Sequence, residues 1–216
     1  MDPFLLHGWL MGLAWLCLLP AGVLIARFFK VTRGQDWPKE LDNQFWWYAH
    51  QGLGYGGIGL ATAGFVWIGV TLEGFLLAGW HALFGWLALL LGWLQVISAW
   101  LRGSKGGPTD AGADPADPET WRGDHYDMSR RRLAFEAWHK HLGYLALTLA
   151  VPAAWLGLRQ IGAEPWLQAL PWLALLIFVV LFHRFTRQGR RVDTYEAIWG
   201  PKPAACSKAR NGPDGR

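Results

Sequence analysis

The chain has 216 residues, of which 52% are hydrophobic and only 17% charged, and its formal net charge is +4. An ordinary soluble domain carries about 25% charged residues, and at least four apolar runs here reach the ~20 residues that a bilayer span needs. Composition thus excludes a soluble domain and, through 16 Trp, 11 Phe and 5 Tyr, a disordered chain, while Cys17 and Cys206 are too few for a disulfide framework.

The first apolar run, 4–29, ends among Arg27 and Lys30. It lacks a basic n-region, carries Asp2 instead, and is too long for an h-region, so it reads as a retained helix rather than a signal peptide. A polar loop with Pro38 leads to the second helix, 45–72. That helix is rich in glycine (52, 54, 56, 57, 59, 64, 69), which suits close packing against helices or a ligand. A short turn at Glu73 and Gly74 precedes the third helix, 75–101. The longest polar stretch, 102–132, reads as a loop from its Gly, Pro and Asp content. The fourth helix, 133–158, tolerates Pro152 as a kink, and the turn RQIGAEP opens the fifth, 166–185. A basic tail, 186–216, follows and is expected to be partly disordered. Trp and Tyr gather at span ends (Trp37, Trp46, Trp47, Tyr48, Trp80, Trp138, Trp166), as an interfacial belt does. The expected fold is an all-α integral membrane protein of five transmembrane helices in one domain, 1–185.

Five spans put the loops on alternating sides. Of 20 Lys and Arg, only Arg159 falls on the side of the N-terminus; the other 19 lie on the opposite side or at its edge. The positive-inside rule places that side, with the tail and the 102–132 loop, in the cytoplasm and the N-terminus outside, in a plasma or inner membrane. The net charge follows from topology and calls for no nucleic acid.

Seven histidines remain: His7, His50, His81, His125, His139, His141 and His183. Four of them open the first four helices, and an ionisable residue at membrane depth is a functional suspect. One such residue is as easily a helix-end group bonded to a headgroup; four in register are not. Three carry a glycine one turn on, as H-x-x-x-G: His50 with Gly54, His81 with Gly85 and His139 with Gly143. Residues i and i+4 share a face, so a flat ligand held by the imidazole finds room against the backbone. His7 and His81 share the outer level and His50 and His139 the inner one, ~20 Å away. Each pair can supply both axial ligands of a haem between diagonal helices, so the first four helices are expected to form a bundle around two haems. No C-x-x-C-H motif is present, so no c-type haem would be attached covalently.

His141 lies about 200° from His139 on the helix and is expected to point away. His183, beside Arg184, reads as an interface residue, and His125, in GDHYDM, as a surface residue. Arg27, Lys30, Arg102, Arg131 and Arg132 stand at the inner boundary as candidate contacts for haem propionates or an anionic donor, alongside their topological role. Gln95 is a further intramembrane polar group, suited to a partner helix or the haem environment.

These residues, HGWLM and LPAGVLIAR in the first helix, WWYAHQGLGYGG in the second, HALFGWLALLLGWLQ in the third and WHKHLGY in the fourth, give residues 4–158 a form that resembles the cytochrome b561 family, in its five-helix, DOMON-associated type. The resemblance implies two haem b groups with the pairing above, and electron transfer between redox partners on opposite membrane faces. It implies cytoplasmic ascorbate as a frequent donor. However, Tyr48 and Ala49 stand where ascorbate-using members resemble one another in a lysine, and the turn VTLEGFLLAGW holds no histidine; both argue against ascorbate. A separate periplasmic or extracellular redox protein is the expected partner, lipid surrounds the spans, and a dimer is compatible with the sequence. Two rivals stand beside an oxidoreductase: an electron-transfer subunit that docks a redox protein or quinone without its own small-molecule site, and a His-based metal or proton transporter. The second, third and fourth helices hold no mid-span carboxylate, which counts against transport.

Overall fold

A computed structural model describes residues 2–73, 79–102, 111–112, 114, 117–120 and 130–201. Among them the regular structure is all helical, and five helices are long and apolar enough to cross a membrane. These are α1 (Pro3–Phe28), α2 (Phe45–Thr71), α3 (Gly79–Trp100), α4 (Arg130–Gln160) and α5 (Pro165–Arg187), and a short α6 (Thr194–Trp199) follows. The chain is a multi-pass integral membrane protein. The expected start of the third helix, 75–78, lies outside the described residues, as does His125.

Local chemistry explains the ends. Asp2 accepts the Phe4 N–H at 2.8 Å and Pro3 opens α1, an arrangement that satisfies one orphan donor and wastes none. Pro20 inside α1 lacks an N–H and crowds the preceding turn. A π-helical turn, Leu13–Leu18, precedes it, with the Leu19 N–H bonded to the Ala14 carbonyl, and Ala14 and Trp15 within this turn are buried. Gly162 (φ +65°) ends α4 and Gly189 (φ +67°) ends α5, both in the left-handed region where a side chain is strained. The fourth helix starts three residues before the expected 133. Arg and Glu are good helix formers, and Glu136 pairs with Arg132 at 3.7 Å and accepts from Lys140 at 2.9 Å along the first turns.

The bundle is two tight helix pairs. α1 packs chiefly on α2, and α3 on α4; the contact between α2 and α3 is thinner, and α5 leans on α4 and touches α1. Small residues allow the approach: a Cβ at Gly57 would strike Leu19 at 2.7 Å, and one at Gly92 would strike Ile58 at 2.5 Å. Midway along the bundle Ala14, Trp15, Ile58, Ala61, Ala88, Leu89, Ala146 and Ala150 form a buried apolar core. At the end that carries His50, Phe28 meets Phe182 and Phe185 of α5 at ring separations of 5.0 and 5.5 Å. Part of the expected tail is folded there too. Asp193 caps α6, and Tyr195, Ala197 and Ile198 are buried against this end; residues 202–216 lie outside the described residues.

Candidate functional site

The structure brings the four helix-opening histidines together in two pairs. His7 of α1 faces His81 of α3 with ring centres 6.1 Å apart and planes at 83°. His50 of α2 faces His139 of α4, again at 6.1 Å and at 80°. Each pair spans the thin seam between the two helix pairs. Two imidazoles that share one metal at ~2 Å from each nitrogen have centres about 6 Å apart, so both openings have the width of an axial ligand pair. The levels are about 20 Å apart along the helices, because His7 and Gly22, which meets His50, are 15 residues apart on α1. Among the described residues no group of three or more His, Cys, Asp or Glu is placed to hold a metal. A metal here would have two protein ligands, and a planar macrocycle is the natural source of the other four.

Neighbouring helices fix the ring orientation. His7 Nδ1 lies 2.9 Å from the Gly64 carbonyl, His50 Nδ1 3.1 Å from that of Gly22, and His81 Nδ1 2.8 Å from that of Ala153. A carbonyl only accepts, so each Nδ1 carries the proton and donates, and each Nε2 keeps its lone pair for a ligand. His139 differs: its Nδ1 faces the Gln95 carboxamide at 2.8 Å. His141 is exposed, with Nδ1 against the Ala137 carbonyl of its own helix, and His183 is exposed on α5.

The glycines divide by role. Among the described residues a Cβ at Gly54 or Gly85 would meet nothing within 4 Å, so the faces beside His50 and His81 are open there. Over Gly143 the space holds Gln95, whose Oε1 would lie 3.6 Å from a Cβ. A glycine missed in the sequence, Gly157, makes the tightest approach to a histidine: a Cβ there would sit 2.8 Å from His81 Cε1 and 2.9 Å from Nδ1. Its signal was invisible in one chain, since it comes from α4 crossing α3.

Charge gathers at the His50 end. Arg27 and Lys30 line a cavity of about 240 Å³ with Lys140, Arg191, Asp193, Thr194 and Glu196. Among the described residues Arg27 Nε is buried without a hydrogen-bond partner, and Lys30, only 7% exposed, donates to the Val192 carbonyl at 3.0 Å. Burial pushes the Lys30 ammonium down to about 8; Asp193 opposes the shift, and Lys140 and Arg27 add to it. Lys140 and Arg191 were not among the expected contacts. The other three cations are engaged elsewhere: Arg132 Nε donates to the Tyr195 hydroxyl at 2.9 Å, Arg102 lies 4.3 Å over the Trp47 ring, and Arg131 donates to the Leu101 carbonyl. Burial and Glu136 push the Tyr195 hydroxyl up to about 12, against the Arg132 hydrogen bond.

Against known proteins, the chain is similar to a cytochrome b561, DM13 and DOMON domain-containing protein of Arabidopsis thaliana, 28% identical over 193 residues. The match covers 86% of this chain and 18% of that protein, so the chain spans under a fifth of the relative's length. No family model and no solved structure matches the chain.

Proposed function

We propose that the chain is a b561-like transmembrane electron carrier that holds two haem b groups, one between His7 and His81 and one between His50 and His139. The observation that carries this reading is the repeated 6.1 Å imidazole pair, at both ends of one bundle. The residues fit the group: the paired imidazoles stand 6.1 Å apart, His7, His50 and His81 hold their Nδ1 on backbone carbonyls and so leave Nε2 to ligate, Gly54 and Gly85 leave open faces, and Arg27 and Lys30 offer positive charge to propionates at the inner level. Similarity to a protein with a b561 domain supports the same reading. When bound, a haem supplies one-electron redox chemistry. The chain's own part is to fix the imidazoles through their Nδ1 partners and to keep water out of the stretch between levels with Trp15 and the alanine-rich core.

In this reading the His50 end faces the cytoplasm, as the placement of 19 of the 20 basic residues suggests. An inside-negative potential then favours outward electron flow by ~2.3 kcal/mol per 100 mV for full transit. The cavity beside Arg27 and Lys30 suits an anionic group, and the outer face would meet a separate redox protein. Purified protein tests the proposal. A reduced-minus-oxidised spectrum should show low-spin b-type haem at two per chain; His139→Ala should remove the inner signal and His81→Ala the outer one, with His141→Ala silent. A spectrum without low-spin b haem would sink the reading.

A further inference from the structure

Three of the four facing imidazoles rest on backbone carbonyls, whose position and polarity no side-chain substitution changes. The fourth rests on a side chain. The Gln95 carboxamide of α3 lies 2.8 Å from His139 Nδ1, 2.9 Å from the His139 carbonyl oxygen and 3.2 Å from the Gly143 nitrogen. A carboxamide can present either of its ends. With its NH2 toward His139 it donates to both Nδ1 and the carbonyl, and Oε1 accepts from the Gly143 N–H. That arrangement requires an unprotonated Nδ1, which puts the ring proton on Nε2 and closes the ligating nitrogen. With Oε1 toward the ring it accepts from Nδ1–H and Nε2 is free, but Oε1 then lies 2.9 Å from the His139 carbonyl oxygen and the NH2 3.2 Å from the Gly143 nitrogen, so this end is held by the ring alone. Ligation at Nε2 therefore selects one end of the amide.

We infer that Gln95 is a positioning residue for His139: it sets the imidazole's tautomer and electron donation, and makes the His50–His139 site adjustable where the His7–His81 site is fixed. The inference rests on the haem reading above. Its physical content is that the partner of a ligand's remote nitrogen tunes the basicity of the ligating one. A stronger acceptor at Nδ1 makes the imidazole a better donor and favours the ferric state. Loss of the acceptor does the reverse.

The test is a redox titration of the full chain in detergent, reading both haems separately in wild type, Gln95→Leu, Gln95→Asn and Gln95→Glu. Leu offers no acceptor, and Asn pulls the amide back by one methylene. Both should raise the inner midpoint, while Glu should lower it. The expected size is up to a tenfold change in the ferric-to-ferrous balance, 59 mV for one electron. The outer midpoint should stay put in every variant and report on folding. Opposite shifts in Leu and Glu are something a merely packing role would not produce. Should Leu fail to fold, the Glu and Asn pair carries the same contrast. An inner midpoint that ignores all three variants, or moves one way in all of them, overturns the inference. A wild type without two b-type signals overturns the haem reading itself, which is a distinct result.

Discussion

Gly157→Ala adds one methyl group, and the structure puts that methyl into the His81 ring. The new Cβ would lie 2.8 Å from Cε1 and 2.9 Å from Nδ1, against ordinary contact at 3.4 Å and beyond. The ring has to retreat from α4 by roughly 0.6 Å in a close-packed interior. Retreat lengthens the Nδ1–H bond to the Ala153 carbonyl, which is 2.8 Å and sits one turn away on the same helix. Overpacking of this kind costs about 1–3 kcal/mol, and loss of a ligand's outer partner costs about 10–100-fold in affinity. These agree in size, since 1.4 kcal/mol is about tenfold. The His7–His81 site should therefore bind haem about 10–100-fold more weakly, while the His50–His139 site, about 20 Å away, is unchanged. Haem titration of the purified variant, with stoichiometry from the pyridine haemochrome, reads this as a fall from two haems toward one per chain. The surviving signal should be the one that His139→Ala abolishes. Two haems held at wild-type affinity would refute the reasoning, and so would loss of the inner haem alone.

Gly54→Val and Gly85→Val place side chains where the polypeptide itself offers no obstacle, so each should deplete one haem, inner and outer respectively, at unchanged helix content by circular dichroism; full haem occupancy in both would show that the open faces serve something else. Gly143→Ala meets Gln95 at an ordinary 3.6 Å and should keep both haems within about twofold in affinity by the same titration. For Lys30, a folded-state value of about 8 lies below the ordinary 10.5. Below pH 8 both folded and unfolded chains carry the proton and the full cost of the buried charge is present. Between 8 and 10.5 the folded chain releases it first, so stability should rise with pH, by about 3 kcal/mol across the window. Thermal melts in detergent from pH 7 to 9.5 should show the rise in wild type and lose it in Lys30→Met; equal slopes in the two would refute it.

Much of this architecture is legible in one chain because membrane physics is strict. A span must be long, apolar and helical, so the helices announce themselves within a few residues. The same strictness makes His7, His50, His81 and His139 conspicuous, and helix direction alone sorts them by depth. What is not legible is the contact between helices. Gly157 and the Ala153 carbonyl matter because α4 crosses α3 at His81, and no spacing within either helix encodes that crossing. Gln95 is visible as a polar residue in an apolar run, yet its partner depends on the rotation of α4. The short α6 is a different case. Asp193 and Glu196 stand three apart, as a helix start often does, but a six-residue helix inside a basic tail gives too little periodicity to be seen.

The reciprocal pattern of the imidazole contacts has a mechanical meaning. His7 of α1 leans on α2, and His50 of α2 leans on α1; His81 of α3 leans on α4, and His139 of α4 leans on α3. Each helix pair thus sets two imidazoles, one per level, through bonds internal to that pair. Each facing couple then takes one imidazole from either pair, across the seam where helix contact is thinnest. Positioning and closure are separated: the pairs orient the nitrogens, and whatever sits between the nitrogens joins the pairs. A group that bridges the two imidazoles at either level contributes its binding energy to holding the two halves together. The pinned Nδ1 contacts mean that little ordering of the rings is left to be done at that step. The one contact made by a rotatable amide, at His139, is where that preparation is incomplete.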